Sequence, residues 1–359
     1  MDIAYVVHHY DFAEGTGGYV AELLPRVARE HEVTLYAAGV RAPVPDGVRV
    51  VNVPALRGRA YATVLTFPLA FRFVRRKHDI VHAQGWVVPE ADVVTAHIVL
   101  AAWREAAKNA RISSPPGERY LGGFVERREA NLLRKNTRHA IAPSKKAREE
   151  ILRRYERTGP ISVIPHGFPG VAATPSADVA RARLNLPPAL TALFIGDTRK
   201  GLKVAMQAVA GISNLQLAIV SRSSPAEYLA YARAVGIGDR VFWLGGLDDP
   251  THAYAAADVL LHPTIYDTFG LVVAEAMAVG VPVVVTEHAG ISELLSHKGD
   301  GWIVRGDPVA GTTEALSELA SNASLRQSMG RAAQATAESR DWDTVARETM
   351  AVYEQVVAR

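Results

Sequence analysis

The chain has 359 residues, 48% hydrophobic and 21% charged, the balance of a globular protein of about two domains. Its apolar runs are short or broken ("VLTFPLAFRFV" holds Pro68 and Arg72), whereas a membrane-spanning helix needs about 20 residues. It has no cysteine, which excludes disulfides, thiolate metal sites and a cysteine nucleophile, and its formal net charge is only +3. That charge is unevenly spread. Residues 1–165 carry 25 Lys and Arg against 17 Asp and Glu, and the remainder carries 15 against 20. A basic first half fits an anionic partner such as a phosphorylated small molecule or an anionic membrane surface. Solvated arginines on helix faces are the plain alternative. The start "MDIAYVVHHYD" has no basic leader and reads as cytoplasmic.

Along the chain, β-branched apolar runs predict strands over 3–7, 33–37, 48–53, 80–83, 93–96, 139–142 and 161–164. A second series covers 192–195, 215–220, 241–244, 259–262, 281–285 and 302–304. The runs are continuously apolar rather than alternating, as in parallel strands covered on both faces. Helical patterns fall between them, over 18–30, 62–77, 118–137, 144–156, 201–210, 225–235 and 271–279. The expectation is α/β architecture with two doubly wound parallel-sheet domains, 1–168 and 169–340, joined through "PHGFPGVAATPSA" (165–177). An amphipathic helix over 341–359 has Val345, Met350, Val352, Tyr353 and Val356 as its apolar positions. A cleft lined by the carboxyl ends of strands is the expected ligand site.

Three stretches could carry chemistry. In "LLHPTIYDTFGLVVAEAMAVGVPVVVTEHAGISELL" (260–295), a strand leads through a loop holding Asp267 into a helix holding Glu275. That helix looks buried nearly all round, so an ionised Glu275 needs a partner. A vicinal diol suits it, because two hydroxyls can donate to one carboxylate. The amides of Phe269, Gly270 and Leu271 at the helix start suit a phosphate. The alternative is a structural arginine or a backbone N–H at Glu275, with Asp267 as a helix cap. In "LFIGDTRKGLKVAMQAV" (193–209), Arg199 and Lys200 stand at a strand-to-helix junction where phosphates sit, unless they are merely solvated. In "EGTGGYVAELLPRVARE" (14–30), Gly17 and Gly18 precede a helix without spelling a full dinucleotide fingerprint. His97 follows a strand, as do His8, His9, His82, His166, His262 and His288, so position alone does not single it out. The spacings of metal sites, hydrolase elbows and phosphate loops are missing.

The stretch 257–295 resembles the C-terminal domain of retaining glycosyltransferases of family 4, which have the GT-B fold of two Rossmann-like domains. The resemblance rests on "DTFGLVVAEAMAVGVPVVVTEHAGISELL" and extends to "IPHGF", "RKG", the first Gly-Gly and "TAH" at 95–97. It implies a hexosyltransferase using a UDP- or GDP-sugar as substrate, with no metal and no cofactor. Glu275 would bind the ribose hydroxyls and Asp267 the transferred sugar. Amides from Phe269 through Gly270 and Leu271 to Val272 would lie near the diphosphate. Arg199 and Lys200 would neutralise that diphosphate, Gly17 and Gly18 would line the cleft, and His97 would contact the sugar near the reacting carbon. The helix over 341–359 would pack back on the first domain. Two departures stand out: Asp267 replaces a glutamate, and Gly196-Asp197 stands where Gly-Arg is common. The acceptor would be a sugar, a lipid-linked or a small molecule of anionic character, bound by the basic first half. Peripheral contact with the inner face of the membrane fits that charge; nucleic acid does not, lacking an aromatic basic platform. The rivals are an epimerase or phosphorylase of the same fold, and a non-catalytic nucleotide-sugar-binding protein.

Overall fold

Both strand series form sheets in which every pairing is parallel. The computed structural model describes residues 1–12, 15–56, 60–113, 116–170 and 174–359, so 171–173 of the expected linker lie outside the described residues. The first sheet comprises β1 (Asp2–Tyr10), β2 (Glu32–Val40), β3 (Arg49–Asn52), β4 (Ile80–Gln84), β5 (Ala91–Thr95), β6 (Thr137–Ala142) and β7 (Ile161–Val163), ordered β3-β2-β1-β4-β5-β6-β7. The second comprises β8 (Leu190–Ile195), β9 (Leu215–Val220), β10 (Val241–Gly245), β11 (Val259–His262), β12 (Val283–Thr286) and β13 (Trp302–Val304), ordered β10-β9-β8-β11-β12-β13.

Parallel neighbours require long crossovers, and the helices supply them. They are α1 (Gly15–Val27), α2 (Ala60–Val74), α3 (Leu100–Asn109), α4 (Pro116–Lys135), α5 (Lys145–Tyr155), α6 (Ala177–Arg183) and α7 (Leu202–Ala210), followed by α8 (Ala226–Ala234), α9 (Thr251–Ala256), α10 (Leu271–Ala278), α11 (Pro308–Ser321), α12 (Ala323–Glu338) and α13 (Trp342–Val357). The sequence reading did not include α3, α6, α9, α11 and α12. Helix α1 begins at Gly15, three residues before the expected start. The strands β9, β11 and β12 are buried at every position, because the second sheet carries an apolar cluster on each face. Phe269 and Val273 belong to one cluster, Leu202 and Met206 to the other.

Two compact units result: Met1–Gly167 with Trp342–Arg359, and Phe168–Asp341. Each is a doubly wound, Rossmann-like layer structure. In the first unit α13 lies against α1, with Val345, Val352, Tyr353 and Val356 buried. A chain of buried polar groups ties it to the sheet. The Tyr353 and Tyr5 hydroxyls are 2.7 Å apart, Tyr353 reaches His82 Nδ1 at 2.6 Å, and His82 Nε2 reaches Thr95 Oγ1 at 2.8 Å. Burial pushes His82 down to about 3, so it is neutral in the fold. An unfolded histidine protonates near pH 6.5, so this contribution to stability is full above that pH and declines as pH falls towards 3. Tyr353→Phe strips a buried partner from both Tyr5 and His82. It is expected to lower stability by about 1–3 kcal/mol, read from denaturant unfolding at neutral pH.

Candidate active site

The second sheet is built outwards from β8 through β9 to β10, and then restarts with β11 on the other side of β8. Ligands of open parallel sheets sit at the carboxyl ends of strands beside such a reversal. The loops leaving β8 and β11 carry Arg199, Lys200 and Asp267. Gly201 brings those loops into contact. Its φ is +100°, and a Cβ there would lie 2.1 Å from the Pro263 carbonyl oxygen, so only glycine fits. Next to this contact, Lys200 Nζ lies 2.6 Å from Asp267 Oδ2. His262, the last residue of β11 and itself buried, donates from Nε2 to the same oxygen at 3.1 Å.

Three donors therefore converge on Asp267, the third being the Phe269 N–H, which reaches Oδ1 at 3.3 Å. The backbone is fixed as firmly. Asp267 N–H donates to His288 O at 3.1 Å, Gly290 N–H to Asp267 O at 2.9 Å, and Ile291 N–H to Phe269 O at 2.8 Å. Burial alone would raise the Asp267 carboxyl. The Lys200 charge and the His262 hydrogen bond outweigh it and hold the group well below the usual carboxylate range. The Asp267 side chain is 11% exposed and that of Lys200 36%, so the ammonium still meets solvent.

Two groups expected to face a phosphate have partners within the chain. The Phe269 N–H donates to Asp267 Oδ1. The Arg199 guanidinium is bound by the neighbouring carboxylate: Nη2 lies 2.8 Å and Nε 3.1 Å from Asp197 Oδ2. Asp197 also accepts the Arg199 N–H at 2.9 Å and caps the short turn there. The acid at the unusual position thus restrains the adjacent cation.

Gly270 precedes α10 with φ +110°, and α10 then runs from Leu271 through Val272 to Glu275. At Gly270 an added Cβ would make only ordinary contacts, the nearest at 3.5 Å, so conformation rather than space demands glycine. At Glu275 one expectation is corrected. The helix is not buried all round, since Leu271, Val272 and Glu275 are half-buried, and the Tyr254 hydroxyl of α9 donates to Glu275 Oε2. Burial first, and then the Glu275 charge, push the Tyr254 hydroxyl well above its ordinary value, so it remains a donor.

In the first unit, β1 and β4 flank the corresponding reversal. Gly17 is buried where α1 meets the end of β1: a Cβ would lie 2.4 Å from Asp11 O. Gly18 is half-buried beside it. His97 follows β5, and its Nε2 lies 2.8 Å from Gln84 Oε1. The ring stands edge-on to Tyr19 at 4.8 Å and tilted to His166 at 5.8 Å, and Trp342 stacks on His166 at 6.1 Å. Burial pushes His97 down to about 3, so its Nε2–H donates to Gln84 as part of a neutral ring.

Two family models match the chain, "Glycosyltransferase Family 4" over residues 13–169 and "Glycosyl transferases group 1" over 189–322. The chain belongs to this glycosyltransferase family. A D-inositol 3-phosphate glycosyltransferase of Streptomyces avermitilis is 30% identical over 77% of this chain and 65% of its own length. The enzyme of the same name from Streptomyces scabiei is 28% identical over 95% and 86% respectively. Sucrose-phosphate synthase from Thermosynechococcus elongatus shares the fold, with a TM-score of 0.81 at 23% identity over 100% of this chain and 99% of that one. The architecture of this glycosyltransferase is GT-B.

The sequence reading missed His262 and Tyr254 as site residues. His262 carries a local signal, since it stands at a strand end five residues before Asp267. Tyr254 has none, because it meets Glu275 through a hydrogen bond between residues 21 positions apart in sequence. Gly201→Ala is expected to force the β8 loop off Pro263 and part Lys200 from Asp267. The cost should be at least about 2 kcal/mol, read as a lowered calorimetric transition.

Proposed function

We propose that this glycosyltransferase moves a sugar from a nucleotide-sugar, UDP- or GDP-linked, to an acceptor hydroxyl, with retention at the anomeric carbon and without a metal ion. The observation that carries the reading is the Lys200–Asp267 pair beside the amino end of α10 at the sheet reversal. Breaking the sugar–phosphate bond leaves negative charge on the diphosphate and positive character on the sugar ring. Lys200 and the amides of Gly270, Leu271 and Val272 meet the first; a fixed donor of this kind is worth about 3 kcal/mol. Asp267 accepts a hydroxyl of the transferred sugar, and its negative charge suits the ring's positive character. Glu275, held by Tyr254, accepts the ribose hydroxyls one helical turn further on.

Arg199 has a lesser part in this scheme, because Asp197 already shares its charge. His97 contacts the sugar as a neutral hydrogen-bonding ring. Gly17 and Gly18 let backbone come close to the substrates. The leaving phosphate takes the acceptor's proton on the same face, so the protein supplies no general base. No cofactor takes part, since the nucleotide-sugar is a substrate. The acceptor is anionic and belongs to the first unit. The Streptomyces relatives are named for a phosphorylated polyol, and the positive excess over 1–165 suits that class.

Slow hydrolysis of UDP- and GDP-sugars identifies the donor before the acceptor is known. Lys200→Ala is expected to cut kcat by about 10²–10³. Glu275→Gln should raise the donor KM by about tenfold with a smaller effect on kcat. The pH–rate profile should show no ionisation of His97 above pH 4, because its value lies at about 3. Unchanged turnover in Lys200→Ala, or a product of inverted anomeric configuration, would remove the proposal.

A further inference from the structure

A second constellation lies at the opposite ends of the strands in the first unit. A cavity of about 720 Å³ opens at the amino ends of β4, β5 and β6, where Val81, Ala91 and Thr137 line it. Five cations stand around it: Arg75, Arg76, Lys77, Lys135 and Arg138. Two of them are paired, Arg75 with Glu90 at 3.4 Å and Arg138 with Asp92 at 3.6 Å. Among the described residues, Arg76, Lys77 and Lys135 form no ion pair, and all three are exposed.

The walls of this cavity are fixed rather than loose. The Arg76 N–H donates to the Tyr36 hydroxyl at 3.2 Å. That hydroxyl lies 2.9 Å from His78 Nε2, and His78 Nδ1 lies 2.7 Å from Asp2 Oδ1. Asp79 N–H donates to Asp2 O at 2.9 Å. Across the cavity, the Asn136 side chain donates to Pro89 O at 3.1 Å, and Ala91 N–H to Asn136 O at 3.1 Å. The backbone of the strap is therefore held at Arg76, and the side chains of Arg76, Lys77 and Lys135 extend from it and from the end of α4 into solvent.

Directly before the strap, α2 presents large apolar side chains to water. Phe73 is 89% exposed and Leu69 61%, and their spacing of four residues puts them on one helix face. Arg72 is exposed between them. Two exposed apolar side chains next to a cluster of exposed cations match a bilayer surface, with acyl chains for the first and anionic headgroups for the second. A small anion would use the cavity but leave Phe73 and Leu69 in water. A nucleic acid would call for several aromatic platforms, whereas Phe73 is paired with an aliphatic residue. No described helix is long and apolar enough to cross a membrane, so such contact is peripheral.

We propose that the carboxyl end of α2 and the 75–77 strap dock this glycosyltransferase on an anionic lipid bilayer. In that arrangement Leu69 and Phe73 enter the interface, and a headgroup phosphate lies among Arg76, Lys77 and Lys135. The surface is separate from the residues assigned to sugar transfer, so it stands or falls independently of that chemistry.

Co-sedimentation of the full chain with vesicles tests this. Vesicles of phosphatidylcholine with phosphatidylglycerol should bind the protein, and phosphatidylcholine alone should not. Binding should weaken as salt is raised. The charge reversal R76E/K77E/K135E and the change L69S/F73S should each lower the partition coefficient at least about tenfold. Thermal unfolding and donor hydrolysis should remain unchanged in both variants. Three results overturn the proposal: no binding of the parent chain, equal binding to neutral vesicles, or undiminished binding of either variant. Displacement from vesicles by a single-stranded oligonucleotide through the same cations also overturns it, and assigns the face to nucleic acid instead.

Discussion

Everything assigned to the second unit depends on a nearly buried anion, Asp267. Asp267 is carried by a buried loop, where an unpaired carboxylate would be strongly unfavourable. Lys200 resolves this from a different loop, and it can do so only because the two loops touch. They touch because Gly201 lacks a side chain at the Pro263 carbonyl. The sheet order then puts this arrangement beside the reversal between β8 and β11. A backbone detail, an ion pair and a sheet topology thus form one dependency.

The neighbouring residues show that the site is held from several sides. His262 and Phe269 approach the same carboxylate from the strand before and the loop after. The loop beyond β12 holds the Asp267 backbone in both directions. These groups thus fix one another's positions within the chain itself. Asp197 shows the same economy in the opposite sense, since it keeps Arg199 beside its own turn.

Much of the fold is legible in the sequence, because continuous apolar runs such as Val283–Val285 have only one comfortable home, a parallel strand covered twice. The helices left out, such as α3 and α12, carry few large apolar residues, Leu100 and Trp103 in the first and Leu325 and Met329 in the second. In the site, Lys200 and Asp267 are readable as types at element ends, but their pairing is not. It spans 67 residues and follows from strand order, which no local pattern encodes. The apolar neighbours of Glu275 suggest a helix buried nearly all round. Composition cannot tell which of those neighbours faces the sheet, and the partner Tyr254 stands 21 residues away. Arg199 was read as available because its attachment to Asp197 is a matter of rotamer, not of sequence.

The polar chain joining Tyr5, Tyr353, His82 and Thr95 has a consequence for biosynthesis. Its central hydroxyl belongs to a helix translated after the whole second unit, while the sheet it completes emerges from the ribosome first. At the β1–β4 seam the Tyr5 hydroxyl and His82 Nδ1 therefore wait for Tyr353 until some 270 residues more have been added. The contiguous second unit can close in the meantime. A stop codon ahead of Trp342 would leave the early half of the chain, rather than the late half, as the part exposed to proteases.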